Sequence, residues 1–485
     1  MLSPFFFSVR TYRFALLLLL GVILTTFYRR TAHFDDAWFA EQSYWLVRDG
    51  LVRSELFHGY NGWGDQIYVF HKLFIYTGAL FMHIAGFSLA ASKLLTILCG
   101  SVTGWLLWRY GRRNPPEQQW LSLLFYFGCG TIIRYFCVNR PEMMCMMLGF
   151  ASYCALDSSS DEKPAPKVVL AGVFAGLAAL THLNGLIYLA AGAGWLLVRT
   201  GWRPTITFSI VGGLTFSFYG LDAFVDGNID KMIVQFLNDP ATQSGFNVLD
   251  KAMVMLNYHQ LFFHSIHEVP LSALAVISLL LIRRRLYRWE PVSIYFTFLF
   301  SSFWLLSKSN FDFYYILFVP WLSLLTAGYL VNYKTYARLR QKRILKVSLV
   351  GYYLFALVST SFVLHENYTK PYVEAYNEEL ARYMPQRQAK VLAPISFFFG
   401  QADRYQIQGL TSYFFYEERG EKIPLSSFFE QASRKGIQYI ISDRLNEMSY
   451  HIPLNAPAKI GAFKRIYQDK FSCIYSRQHS SHRTH

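Results

Sequence analysis

The residues best suited to chemistry come early, in the stretch His33-Phe34-Asp35-Asp36-Ala37-Trp38-Phe39-Ala40-Glu41. Two adjacent carboxylates directly follow an apolar run, residues 14–28, which basic pairs flank at Arg10/Arg13 and Arg29/Arg30. An acid so placed can take a proton as a general base. It can equally cap a helix N-terminus and favour its dipole. Spacing alone leaves both readings standing. The residues that follow, 37–47, read as an amphipathic interfacial helix, with Trp38, Phe39, Tyr44 and Trp45 suited to an aromatic belt. A second polar group, His259, His264, His267 and Glu268, lies in a later loop. His264 and His267 can share a metal at helical spacing, or line a surface groove. Of the six cysteines, Cys99, Cys129, Cys137, Cys145 and Cys154 sit in or beside apolar blocks and Cys473 stands alone. Neither zinc spacing nor a disulfide framework is present, and small buried hydrophobes are the expected role.

These residues must be carried by apolar elements. The 485 residues are 53% hydrophobic and 18% aromatic and carry a formal charge of +15. The basic residues cluster in short loops between apolar blocks, as the positive-inside rule expects, and no basic-aromatic module points to nucleic acid. Blocks approaching the roughly 20 residues that span a ~30 Å hydrocarbon core occur at 14–28, 89–108, 120–136, 143–156, 168–180, 185–198, 205–221, 271–282, 292–306, 313–331 and 344–364. Residues 67–87 form a further block, which contains His71, Lys72 and His83. If it spanned, every later basic cluster would move outside: Arg109/Arg112/Arg113, Arg199/Arg203, Arg283/Arg284/Arg285/Arg288 and residues 334–346. Charge placement therefore predicts a helix lying against the outer surface instead. The expectation is an all-α polytopic membrane protein of about eleven spans. Its N-terminus is cytoplasmic, and its outer loops lie at 29–88 and 222–269. A transmembrane domain over 1–364 is followed by a small extracytoplasmic α/β domain over 365–485. In that tail, 372–384 and 426–434 read as helices, 391–395 and 437–441 as strands, and 465–475 as a hairpin.

Asp35-Asp36-x-x-Phe39-Ala40-Glu41, with Gly50 ending the helix, resembles the start of the first outer loop in GT-C glycosyltransferases. The branch in question holds the protein O-mannosyltransferases and the lipid A aminoarabinose transferase. The family's aromatic-Glu-Lys segment is matched by Phe70-His71-Lys72, and its Arg-Pro-acid segment by Arg140-Pro141-Glu142. Its Gly-rich span ending in Thr-Lys or Thr-His before Gly is matched from Gly172 to Thr181-His182-Leu183-Asn184-Gly185. Lys308, Tyr314, Tyr315 and Pro320 match its late basic-x-aromatic-Pro segment. The set covers residues 35–325, in the family's order. Asp36 stands where Glu is more usual, His71 stands in place of an acid, and the Pro-Pro that often follows Lys72 is absent.

The resemblance implies a GT-C fold in a bacterial inner membrane. It implies a polyprenyl-phosphate-sugar donor, a lipid, glycan or protein acceptor at the outer face, and contact with membrane lipids. Asp35 is then the expected base, with Asp36 orienting it or binding a divalent metal. Lys72 and Arg140 are the expected phosphate contacts, with Glu142, His182, Lys308 and Tyr314 also lining the substrate site. His71 and Glu142 are the candidate metal ligands. A departing lipid phosphate, with a pKa of about 6, needs little protonation; nearby cations suffice for its developing charge. The acceptor hydroxyl must lose a proton, so one carboxylate serves, whereas glycoside hydrolysis needs an acid for a poor leaving group. A single displacement of this kind inverts the sugar. A transporter or flippase is the alternative, but it would carry ionisable residues mid-span and repeated, interrupted helices, and here the charges gather at the outer edge.

Overall fold

The computed structural model describes residues 7–158, 164–239, 253, 256, 258–282, 290–307, 311–334, 339–418, 420, 422–445 and 448–478. Helices dominate, and each apolar block of the sequence corresponds to a helix or a pair of helices. Among the described residues, four helical segments are long and apolar enough to cross a membrane: Leu89–Gly111, Trp202–Val225, Asp312–Asn332 and Arg340–Ala381. Others fall short for a physical reason. Val9–Thr25 and Pro141–Asp157 have 17 residues each, a rise of ~25 Å against a ~30 Å core. The block at 120–136 is divided at Gly128 and Cys129 into Pro116–Phe127 and Gly130–Tyr135. The basic cluster at 283–288 and Lys308 lie outside the described residues.

The chain forms two compact units. The first comprises Met1–Tyr28, His71–Phe74 and Leu95–Glu366. Its helices approach closely where glycine replaces a side chain. Gly172 and Gly176, four residues apart, face the helix Trp202–Ser217; a Cβ on Gly176 would lie 2.6 Å from the Gly212 carbonyl oxygen. Small residues at this spacing let helices pack where lipid provides no hydrophobic drive between them. Inside the unit, the fully buried Trp321 ring stacks on Tyr295 at 5.5 Å and on Tyr188 at 5.5 Å. On its outside, Ile206, Ile210, Leu214 and Phe218 recur every fourth residue and are all about half or more exposed. Such a stripe suits hydrocarbon and would be a liability in water.

The second unit comprises Arg29–Phe70, Ile75–Leu94 and Asn367–His485. Its sheet has six strands in the order β2-β1-β3-β6-β5-β4. These are β1 Lys390–Ala393, β2 Gln406–Gly409, β3 Tyr439–Asp443, β4 Lys459–Ile460, β5 Phe463–Gln468 and β6 Ser472–Arg477. β1 runs parallel to β2 and β3, while β6 pairs antiparallel with β3 and β5. Leu392, Ile440, Cys473 and Tyr475 from the strands bury Phe428, Phe429 and Ala432 of helix Leu425–Arg434. The expected tail elements are present within two or three residues; β2, β4 and helix Thr411–Glu418 are additional. The tail is tied to the first loop by main-chain and side-chain hydrogen bonds. Gly409 N–H donates to Leu56 O at 2.9 Å, Thr31 N–H to Asn367 Oδ1 at 3.1 Å and Leu89 N–H to Glu374 Oε1 at 2.9 Å.

Candidate active site

In the second unit, helix Phe34–Asp49 starts with His33 as its N-cap in extended conformation, φ −91° and ψ 155°. The Asp36 carboxylate accepts the His33 N–H at 2.7 Å, and His33 Nδ1 accepts the Asp35 N–H at 3.3 Å. This reciprocal cap satisfies donors that a helix start leaves open. It also sinks Asp36, which is 0% exposed and pairs with Lys93 Nζ at 3.2 Å. Lys93 is itself buried and donates to Thr31 O at 2.8 Å. Asp35 points differently. Its side chain keeps 13% exposure, with Oδ2 3.1 Å from His33 Nδ1.

Two turns further on, Glu41 is wholly buried yet accepts four hydrogen bonds. The donors are Trp45 Nε1 at 3.0 Å, Ser54 Oγ at 2.6 Å, Glu55 N–H at 2.7 Å and Leu56 N–H at 3.0 Å. Burial pushes its pKa up to about 7, against the pull of those hydrogen bonds. Glu41 therefore fastens residues 54–56 to the helix that presents Asp35.

In the first unit, Lys72 begins helix Lys72–Ala85. A cation there opposes the helix dipole by ~0.3–1 kcal/mol, so another group must hold it. That group is Asp222, whose carboxylate it meets in a close ion pair, with the Tyr219 ring 5.5 Å away. Burial lowers the Lys72 pKa to about 8, while Asp222 and Asp226 pull it upward.

Arg140 precedes Pro141, which disfavours helical backbone before it, and Arg140 is extended at φ −133° and ψ 144°. Its guanidinium makes a forked contact with Glu142, Nε to Oε2 at 3.0 Å and Nη2 to Oε1 at 2.8 Å. The Phe313 ring lies 3.6 Å from the guanidinium carbon. His182 Nε2 is 3.7 Å from Glu142 Oε1, and its Nδ1 accepts the Asn184 N–H at 3.0 Å. Burial lowers the His182 pKa despite the adjacent Glu142. The His71 ring stacks on His182 at 4.7 Å, and Tyr314 meets His182 edge-on at 5.6 Å. Gly185 makes this turn sterically feasible, because a Cβ there would sit 2.3 Å from the Ala178 carbonyl.

The first unit thus brings His71, Arg140, Glu142, His182 and Tyr314 together from segments far apart in sequence. The donor set does not fit a metal. His71 and His182 stack with 17° between their planes, which sets their in-plane lone pairs side by side and not toward one point. Glu142 already holds Arg140, and among the described residues no group of three or more His, Cys, Asp or Glu side chains is arranged to hold an ion. His264 and His267 follow the end of helix Tyr258–Phe263 and so lack the helical spacing expected of them. Their neighbour Glu268 instead accepts from Thr131 Oγ1 at 3.0 Å and Ser265 N–H at 2.9 Å. Lys93, Asp222 and the role of Glu41 escaped the sequence reading. Lys93 carried a faint signal, a charge in the first turn of an apolar block.

Residues 73–219 match the family model described as dolichyl-phosphate-mannose-protein mannosyltransferase. Among solved structures, ArnT from Cupriavidus metallidurans bound to undecaprenyl phosphate is similar at a TM-score of 0.65 and 12% identity, over 98% of this chain and 99% of that one. The apo state of the same protein is similar at a TM-score of 0.62 and 13% identity, over 95% and 97%. Arabinofuranosyltransferase AftD from Mycobacteria is similar at a TM-score of 0.56 and 12% identity, over 98% of this chain and 40% of that one. No curated protein sequence matches. The resemblance drawn from the sequence is borne out to this extent: residues 73–219 match that family model, and the fold is similar to that of ArnT over 98% of the chain.

Proposed function

We propose that the chain is a polytopic inner-membrane glycosyltransferase that moves a sugar from a polyprenyl-phosphate donor to a lipid, glycan or protein acceptor at the outer face. The N-terminus is cytoplasmic, about eleven helical segments cross or enter the bilayer, and the 365–485 tail is extracytoplasmic. The observation that carries this reading is the fold, shared over 98% of the chain with a protein solved with undecaprenyl phosphate bound. The first unit adds chemical support, since it holds two buried cations, Lys72 and Arg140, each paired with a carboxylate.

In this reading Asp35 takes the proton of the acceptor hydroxyl as its oxygen bonds to the anomeric carbon. The bond from that carbon to the phosphate oxygen breaks, and both electrons leave with the lipid phosphate. Lys72 and Arg140 stabilise the charge that develops there. Asp36, neutralised by Lys93, is a positioning residue that fixes the helix start and so aims Asp35. Glu142 orients Arg140, while His182 and Tyr314 line the sugar. Because one displacement occurs, the anomeric configuration inverts.

The test is purified full-length protein in micelles, incubated with a panel of radiolabelled undecaprenyl-phosphate sugars and candidate acceptors. Transfer from one donor, absent in Asp35→Asn, is the expected result. A folded protein that transfers from none of them and does not bind undecaprenyl phosphate would refute the reading.

A further inference from the structure

Both cations assigned to the donor phosphate are already held by carboxylates, but the two pairs differ in kind. Arg140 and Glu142 are two residues apart, engage both carboxylate oxygens and leave the Glu142 side chain 1% exposed. That pair is built into one helix start. Lys72 and Asp222 are 150 residues apart and use one oxygen, and the Asp222 side chain is 23% exposed. Among the described residues, its other oxygen accepts just the N–H of Ala223, 2.8 Å away in the five-residue helix Leu221–Val225. Lys72 itself is 3% exposed, which leaves its ammonium little room for a second anion. A phosphate brought beside the intact pair would meet no net positive charge and a carboxylate of its own sign.

We propose that Asp222 occupies the anion position of Lys72 and that the lipid phosphate and Asp222 exchange there during turnover. This rests on the reading of Lys72 as a phosphate contact. The exchange has a direction set by charge. A sugar phosphodiester carries about one negative charge and the spent phosphate monoester roughly 1.5 to 2. Lys72 therefore attracts the phosphate most strongly just as the sugar leaves, and without a competitor would retain the spent carrier. Asp222 is that competitor. It sets how tightly the product carrier is held and reclaims the lysine once the carrier departs.

Undecaprenyl phosphate is titrated into the purified full-length protein and binding is read from intrinsic tryptophan fluorescence. Inorganic phosphate is titrated in parallel to separate headgroup from lipid tail. Asp222→Asn is expected to bind the lipid ~5- to 50-fold tighter, the usual size of a coupling between two linked sites. It should also show stronger inhibition of transfer by added carrier. Asp222→Glu, which keeps the charge, should stay near wild type, and so controls for damage to the fold. If Asp222→Asn binds as weakly as Lys72→Ala, Asp222 holds Lys72 in its working position and the exchange is refuted. Unchanged affinity in Asp222→Asn also refutes it. If Lys72→Ala binds like wild type, the phosphate reading of Lys72 falls, and the exchange with it.

Discussion

The helix starts at Phe34–Asp49 and Pro141–Asp157 both carry an acid in the first turn and use it in opposite ways. At Phe34–Asp49 the acid serves the backbone. Asp36 accepts the N–H of the N-cap residue, and its charge is met by Lys93, far away in sequence. At Pro141–Asp157 no side chain caps the helix, and Pro141 at the first position removes one donor that would have needed capping. The acid there is left to Arg140, and both its oxygens are taken by the guanidinium. The difference shows which charges are structural. Asp36 is sunk into the cap and fully buried, while the neighbouring Asp35 keeps 13% side-chain exposure. Where the cap is unnecessary, the acid stiffens a cation.

The largest expected effect breaks the Asp35/Asp36 asymmetry directly. Asp35→Asn should lower the transfer rate on the order of 100- to 10,000-fold, the usual cost of losing a general base, with thermal stability and donor affinity near wild type. Asp36→Asn should instead lower the melting temperature, because it leaves Lys93 charged and buried. Equal rate losses with unchanged melting would show that the two acids act as one unit. Next in size, Lys93→Met strands the Asp36 charge in the interior. Removing one partner of a buried pair costs about 3–5 kcal/mol, read as a fall in melting temperature of the solubilised protein. A variant as stable as wild type would place Asp36 in contact with some other cation. Arg140→Lys then probes the second helix start. The forked contact with Glu142 and the seat over Phe313 need a planar guanidinium, so donor KM should rise ~10-fold or more. An unchanged KM would make Arg140 a purely structural ion pair.

Much of this arrangement was legible in the sequence. The apolar blocks located the helices because burial in lipid or protein demands continuous hydrophobic surface, and alternation located the tail hairpin. The segments around Arg140, His182 and Tyr314 could be grouped by their resemblance to a family, and the first unit does bring them together. Partners remote in sequence were not legible. Nothing local marks Asp222 as the counter-charge of Lys72, since the pair depends on how a helix 150 residues away packs. Glu41 carried no role in the motif, because two of its four donors are backbone N–H groups of residues 55 and 56, which have no side-chain signature. Span ends were blurred where composition stays apolar across the break at Gly128 and across the change from 3-10 helix at Asp312–Phe318 to α-helix at Val319.

The smallest effect concerns Glu41, which extends the first comparison from a capping acid to a loop-fastening one. Its pKa of about 7 in the folded chain lies above the ordinary carboxyl value because it is wholly buried. A folded pKa raised above the unfolded one means the folded state binds the proton first. The stability this contributes is fully present below the unfolded pKa of ~4.3, and it is lost as pH rises through about 7. From pH 8 to pH 6 the first loop should therefore gain about 1 kcal/mol, since each unit of separation corresponds to ~1.4 kcal/mol. Thermal melting of wild type against Glu41→Gln isolates the term. The glutamine variant keeps the volume but cannot titrate, so its melting temperature should be lower overall and less dependent on pH across this window. Hydrogen exchange at the Glu55 and Leu56 amides supplies a local readout, since those two N–H groups donate to the carboxylate. They should exchange more slowly relative to the intrinsic rate at pH 6 than at pH 8 in wild type, with no such change in the variant. If wild type and Glu41→Gln share one pH slope in both measurements, the carboxyl stays ionised throughout. Glu41 would then resemble Asp36, a permanent anion held by its donors.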